Sequence, residues 1–177
     1  MKKQGKGGFL YAFNLTAAIL ILFFAMLIPL LHAAGSLGHS VKMHIDGARS
    51  ERLGTTTQFA VTIDNASSTP LNAVEFELRF DPSKILITKI TPLATLCEDQ
   101  FVISNSIDNE RGVALLQCGT LHPFSAATGT IARIEAIPVG VGSTTIAFGT
   151  TTHVLASDGL GSDATGSTTG ATFATIF

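Results

Sequence analysis

The chain has 177 residues, of which 46% are hydrophobic and 14% are charged, so it has room for one ordinary domain and an additional terminal segment. From Gly35 onward it carries 8 basic and 13 acidic residues, a net charge of −5. This sign excludes an electrostatic basis for binding nucleic acid or an anionic membrane surface. No nucleic-acid partner is therefore predicted.

The first 35 residues have the three-part order of an export signal. Lysines near the amino terminus precede an apolar run over residues 9–31, which is predicted to form a hydrophobic helix. The small residues Ala33 and Gly35 favour cleavage after Gly35, whereas the run is also long enough for an uncleaved signal anchor that spans a bilayer. Signal peptide and signal anchor both stay open for residues 1–35, and both place residues 36–177 outside the cytoplasm.

Apolar and polar residues alternate with period two from His39 onward, which is the pattern of half-buried β-strands. The clearest strand covers residues 74–80, where four apolar side chains alternate with Glu75, Glu77 and Arg79. Further strands are predicted around residues 41–45, 59–63, 85–90, 101–106, 113–118, 132–136, 146–148 and 173. The pattern predicts an all-β fold, an antiparallel sandwich of eight or nine strands preceded by the hydrophobic helix.

The segments 101–106 and 113–118 flank a turn-rich stretch at 108–112 and are predicted to form a hairpin. Cys118 ends the second strand, and Cys97 lies just before the first. An even number of cysteines on the exported side favours a disulfide between them. Two separately buried thiols are the alternative, and zinc is not predicted because neither cysteine belongs to a C-x-x-C pair.

A loop rich in glycine and aspartate covers residues 158–163. Its carboxylates, Asp158 and Asp163, are weak candidates for calcium ligands. Leu160, however, stands where an EF-hand loop requires an oxygen ligand. We interpret the loop as a turn whose residues supply the backbone geometry, and we predict no metal.

Patterns typical of catalysis do not occur in the sequence. There is no G-x-S-x-G nucleophile elbow and no H-E-x-x-H zinc motif. Glu75 and Glu77 would point to the same side of one strand, where carboxylates are ordinary solvated surface rather than an acid/base pair. The sequence predicts a protein that is not an enzyme and that needs no cofactor.

Two stretches resemble the cohesin domain family. They are residues 72–84, which end in Phe80-Asp81-Pro82-Ser83-Lys84, and residues 129–173, in which strands alternate with glycine turns and the Gly/Asp loop. The resemblance covers roughly residues 39–177. It implies a jelly-roll sandwich whose first and last strands are neighbours. It also implies non-catalytic binding of a dockerin, a small helical module organised by calcium, through one flat sheet face.

Carried over to this chain, that face includes the outward sides of the strand at 72–79 and of the hairpin at 101–118. The candidate partner-binding residues are Asn72, Glu75, Glu77, Arg79, Ser104, Ser106, Ala114 and Leu116. For each of them, an ordinary solvated strand position is the alternative interpretation.

Two other functions are considered beside docking. The fold is shared with carbohydrate-binding sandwiches linked to polysaccharide breakdown, but flat sugar platforms depend on exposed Trp and Tyr rings. This chain has no Trp, and its single tyrosine, Tyr11, lies in the export segment. A recessed sugar site and a structural or adhesive surface domain are the alternatives to a dockerin-type partner. All of these interpretations assume an extracellular or cell-surface protein, tethered to the membrane if the signal is not cleaved.

Overall fold

The computed structural model describes residues 40–47 and 50–177. This part of the chain forms twelve strands, with a single-turn 3-10 helix at Asp99–Phe101. The strands are β1 (Val41–Gly47), β2 (Ser50–Arg52), β3 (Thr57–Asp64), β4 (Leu71–Arg79), β5 (Ile85–Pro92), β6 (Val102–Asp108), β7 (Val113–Phe124), β8 (Thr128–Pro138), β9 (Gly142–Phe148), β10 (His153–Ala156), β11 (Thr165–Thr169) and β12 (Ala171–Ile176). In the described ranges no helix is long and apolar enough to cross a membrane. The predicted amino-terminal helix lies outside those ranges.

The strands form two sheets that enclose one core, so the predicted all-β sandwich is confirmed. Sheet 1 has the order β11-β1-β3-β8-β5. Sheet 2 has the order β2-β12-β9-β4-β7-β6, and β10 also pairs with β4. Because β7 occupies one side of β4, strands β9 and β10 share its other side. The predicted hairpin is the pair β6–β7.

The sheets differ from the prediction in the direction of two strand pairs and in the number of strands. The pairs β1–β11 and β2–β12 are parallel, and the described strands number twelve rather than eight or nine. The strand predicted at residue 173 is β12. The sequence did not predict β11, which precedes it in sheet 1, so the chain changes sheet between the two strands. The crossing point is Gly170, where an added Cβ would lie 2.4 Å from the carbonyl oxygen of Ile146. The first strand, β1, pairs with β11, the next-to-last strand, whereas the last strand, β12, pairs with β2 and β9.

The core contains the inward residues of both sheets. Val74, Phe76 and Leu78 of β4 are at most 1% exposed, in the phase that their alternation predicts. Phe59 of β3 contacts Phe173 of β12 across the two sheets, and their ring centroids are 5.4 Å apart. The alternating pattern therefore fixes which side of each strand faces the other sheet.

A disulfide joins Cys97 and Cys118, as the cysteine count predicted. Their Cα atoms are 5.1 Å apart, and both residues are buried. Cys97 lies after β5 in sheet 1, and Cys118 lies in β7 of sheet 2. The bond therefore ties the crossing between the two sheets to the open end of the β6–β7 hairpin, where Cys118 pairs with Val102.

Two asparagines bridge the edge strands β5 and β6. The Asn109 side-chain amide donates to the Ile87 carbonyl at 2.8 Å, and its Oδ1 accepts the Ile87 N–H at 3.0 Å. Asn105 donates to the carbonyl of Ile90 at 3.1 Å. These side chains form hydrogen bonds with backbone groups of β5, which an edge strand would otherwise leave free to pair with another chain.

Replacing Asn109 by alanine is expected to lower the free energy of unfolding by about 1–3 kcal/mol, because both polar backbone groups of the buried Ile87 lose their partner. Asn105→Ala removes a single bond and should cost less. Denaturant unfolding of the two variants checks the order. An Asn109→Ala variant as stable as the parent chain would contradict this role.

Candidate partner-binding face

The outward side of β10, β4, β7 and β6 in sheet 2 is the candidate site, and we call it the outer face. Strand register brings four predicted or newly found polar residues into one row across it. Ser104 of β6 lies beside Gln117 of β7, Gln117 beside Glu75 of β4, and Glu75 beside His153 of β10. Ser104 and Glu75 therefore share a surface, as the sequence predicted.

A second row runs parallel to the first. Ser106 of β6 lies beside Leu115 of β7, which lies beside Glu77 of β4. A third row contains Asp108, Val113 and Arg79. Together these rows surround a shallow hollow that is also lined by Arg111. The predicted residues of β4 and β6 are thus neighbours on one continuous face.

Glu77 is held in place by several contacts. Its carboxylate pairs with Arg79, and it accepts a hydrogen bond from the Thr151 hydroxyl at 3.2 Å. Its side chain is 12% exposed, against 59% for Arg79. At Gly149 an added Cβ would lie 2.2 Å from Glu77 Oε1, so the β9–β10 connection presses directly on the carboxylate. A partner would therefore meet the guanidinium of Arg79 rather than Glu77.

Glu75 has a different environment. Its Oε2 accepts a hydrogen bond from the amide of Gln117 at 3.2 Å. Among the described residues, no cationic side chain lies within ion-pair distance of it, whereas Glu77 has Arg79. Glu75 is therefore the predicted acidic residue that can offer its charge to a partner.

Besides the buried Glu77, three of the predicted residues do not lie openly on the outer face. Ala114 and Leu116 are fully buried, so their assignment to the binding face is wrong. In the β4–β7 register they stand opposite Leu78 and Phe76 and share the inward phase. The outward positions of β7 are Val113, Leu115 and Gln117 instead. Asn72 is half-buried at the register shift between Leu71 and Ala73.

Sequence reasoning missed the contribution of β10 and of the first residues of β6. Leu155 and His153 of β10 border the same hollow as Ala73 of β4 and Ile103 of β6. Ile103 is 75% exposed. Ile103 is the third of three consecutive apolar residues, Phe101-Val102-Ile103, and this break in the alternation was the signal that could have identified it.

The carboxylate of Asp158 is engaged by its own loop. Its Oδ1 accepts the backbone N–H groups of Leu160 at 2.8 Å, Gly161 at 3.0 Å and Ser162 at 3.4 Å. Hydrogen bonds from the Ser162 side chain and from these amides lower the pKa of Asp158 to about 2. This geometry supports the turn interpretation over a calcium site.

Asp163 is engaged elsewhere. Its Oδ2 lies 2.9 Å from Nδ1 of His153, and its Oδ1 accepts the N–H of Thr165 at 2.8 Å. Burial raises the pKa of Asp163. The hydrogen bonds from Thr165 and His153 lower this pKa by more than burial raises it, so the net shift is downward. Across residues 40–47 and 50–177, no three His, Cys, Asp or Glu side chains converge on a metal position.

The Asp158 turn is expected to loosen in acid. Since its folded pKa is about 2 and the ordinary value is 3.8, the ionised carboxylate stabilises the loop above pH 4. That contribution is lost as the pH falls from about 4 to about 2. Amide NMR shifts of Leu160 and Gly161 should follow this titration, and Asp158→Asn, which keeps an acceptor oxygen, should abolish it. A midpoint at or above the ordinary pKa would contradict the assigned hydrogen bonds.

Comparison with solved structures shows that the described domain has the cohesin fold. The third cohesin of ScaC from Acetivibrio cellulolyticus, solved in complex with the ScaB dockerin, is 18% identical with a TM-score of 0.67, and the match covers 77% of this chain and 99% of that one. The OlpC cohesin of Clostridium thermocellum, solved in complex with Doc435, is 12% identical with a TM-score of 0.65, covering 82% and 100%.

The similarity extends to a non-cellulosomal cohesin from the hyperthermophilic archaeon Archaeoglobus fulgidus. That structure is 11% identical with a TM-score of 0.61, and the match covers 78% of this chain and 92% of that one. No protein-family model and no curated protein matches the sequence. At these identities the comparisons establish the fold of the described domain.

Proposed function

We propose that this chain is a non-catalytic docking module that binds a dockerin-type protein through the outer face. The observation that carries the proposal is a continuous outward surface of four paired strands on a cohesin fold. The ScaC and OlpC cohesins have this fold and were solved bound to dockerin modules. Exposed Arg79 and Ser106 and half-buried Glu75 give the face polar groups of both signs beside the aliphatic Leu115 and Ile103.

This mixture is suited to protein recognition. Protein interfaces combine a few desolvated anchors with a polar rim, and paired strands hold both in fixed positions. Pleated strands also need no ordering before they bind, which limits the entropic cost of association. Polysaccharide binding is not proposed, because no Trp, Tyr or Phe side chain belongs to the rows that form the outer face.

The proposal includes an extracellular location. A disulfide is typical of an oxidising compartment, and the apolar run at 9–31 with its basic flank is typical of an export signal. A cleaved signal would release the domain, and an uncleaved one would hold it at the membrane. Mass spectrometry of the native chain distinguishes them, because cleavage gives an amino terminus at Ser36, whereas an anchor retains the residues before it.

Calorimetric titration tests the docking function. The full-length chain, held in a non-ionic detergent, is titrated with a panel of dockerins that includes the ScaB dockerin and Doc435. Saturable heat in calcium is expected, and it should disappear in EDTA, because a dockerin is organised by calcium. An absence of heat with every dockerin in the panel would overturn the dockerin assignment.

A further inference from the structure

An apolar hollow of about 250 Å³ lies on the outer face where β10, β4, β7 and the start of β6 meet. Its aliphatic lining includes Ala73, Ile103 and Leu155, and its polar lining includes Glu75, Gln117 and His153. The hollow exists because β10 continues the sheet along β4 beyond the end of β9. It is therefore a local extension of the outer face.

Ile103 is presented beside this hollow by a β-bulge. The pairing of β6 with β7 shifts register between Val102 and Ser104, so Ile103 is left without a ladder partner. Val102 on one side packs against the core, whereas Ile103 is 75% exposed. Bulges commonly re-aim a side chain near a functional site. An exposed isoleucine beside an apolar hollow gains most when a partner's apolar group covers both.

The charges around the hollow indicate the sign of the partner. Three carboxylates on or next to the outer face have cationic or titratable partners within the described residues. The pairs are Glu77 with Arg79, Asp108 with Arg111, and Asp163 with His153. Glu75 lines the hollow and has the neutral amide of Gln117 as its hydrogen-bond partner. The negative charge of Glu75 is therefore available to an approaching cation, and it would repel an approaching anion.

We propose that this hollow is a specificity subsite for a positively charged amphipathic segment of the partner. One aliphatic side chain of that segment packs against Ile103 and Leu155, while a neighbouring Lys or Arg pairs with Glu75. The inference rests on the proposed docking function and names the chemistry that this chain selects. The net charge of −5 from Gly35 onward acts in the same direction, since it favours the approach of a cationic partner.

The test uses the full-length chain with labelled Ile and Leu methyl groups, in a non-ionic detergent. The probes are two capped helical peptides that carry leucine with lysine, or leucine with glutamate, one turn apart. The lysine peptide should shift the methyl signals of Ile103 and Leu155, and the glutamate peptide should not. Ile176, which is 52% exposed on β12, supplies a matched control methyl. Equal shifts from both peptides, or none at Ile103 and Leu155, would overturn the subsite.

Variants separate charge from packing. Glu75→Lys should reverse the preference to the glutamate peptide, and the milder Glu75→Gln should remove the preference if the reversed charge impairs folding. Ile103→Ser should weaken binding of the lysine peptide about tenfold, the effect of losing one well-packed aliphatic contact. Ile176→Ser should not change it. Unchanged binding by Ile103→Ser would contradict the proposal.

The outcome can be distinguished from failure of the docking function. If dockerins bind in calorimetry but Ile103→Ser and Glu75→Gln leave their affinity unchanged, the subsite is wrong and docking stands. If the charge-selective methyl shifts occur but no dockerin binds, the subsite stands and its partner is another cationic protein.

Discussion

Replacing Phe76 by alanine is expected to lower the free energy of unfolding by about 3–5 kcal/mol, the range for deleting a buried aromatic ring. Phe76 is fully buried in the middle of β4, and its ring packs edge-on against Phe148 at a centroid distance of 6.5 Å. The sheets cannot close over the space, because β4 is paired on both sides. The melting temperature should fall by roughly 10–17 °C for a domain of this size.

Phe177→Ala is the matched control for this change. Phe177 has the same ring but is 91% exposed, so its truncation should leave the melting temperature nearly unchanged. Thermal unfolding followed by circular dichroism compares the two variants directly. Similar losses in both, or no loss in Phe76→Ala, would contradict the core as described.

Removing the disulfide is expected to cost about 3 kcal/mol, the loop-entropy estimate for a closed loop of this length. Cys97 and Cys118 are 21 residues apart, and the segment between them contains β6, the hairpin turn and the first half of β7. A Cys97→Ala/Cys118→Ala double variant should therefore unfold at a lower denaturant concentration. Its affinity for a partner should also fall, because β6 is the edge strand of the outer face.

Reduction provides the control for the disulfide. A reducing agent should destabilise the parent chain towards the level of the double variant, and it should have no effect on the double variant itself. If the oxidised parent and the double variant unfolded at the same denaturant concentration, the bond would contribute nothing to stability.

Much of the fold could be predicted from the sequence, because each strand of a sandwich has apolar residues on its buried side and polar residues on its outer side, and these alternate along the chain. Phe76 and Leu78 identify the inward phase of β4, and Cys118 with Cys97 identifies the crossing between the sheets. The parallel pairs could not be predicted in this way. The change of sheet at Gly170 depends on a close approach to Ile146, and such contacts between distant segments leave no local pattern.

The candidate site was predicted less completely. On β4 the polar residues alternate with large apolar ones, so Glu75, Glu77 and Arg79 were assigned to the correct side. On β7 both phases contain aliphatic residues, so composition could not separate Leu115 from Leu116. The disulfide could have decided it, since Cys118 shares the phase of the buried Leu116.

The missing part of the outer face depends on departures from regular pairing. A β-bulge turns Ile103 outward, and β10 extends the sheet beside β4 so that Leu155 borders the hollow. Strand periodicity assumes an unbroken ladder, so it fails where the ladder shifts register. These residues therefore became visible only in the folded domain.

The central claim is that a dockerin-type partner binds the outer face of sheet 2, and a pair of arginine variants tests it most directly. Ser106→Arg places a bulky charge on that face beside Leu115, and Gln58→Arg places the same group at an exposed position of β3 in sheet 1. With a calcium-loaded dockerin as titrant, Ser106→Arg should weaken binding about tenfold or more, and Gln58→Arg should bind like the parent chain. The account would be contradicted if Gln58→Arg lost binding while Ser106→Arg bound like the parent chain. It would also be contradicted if the parent chain did not bind the dockerin.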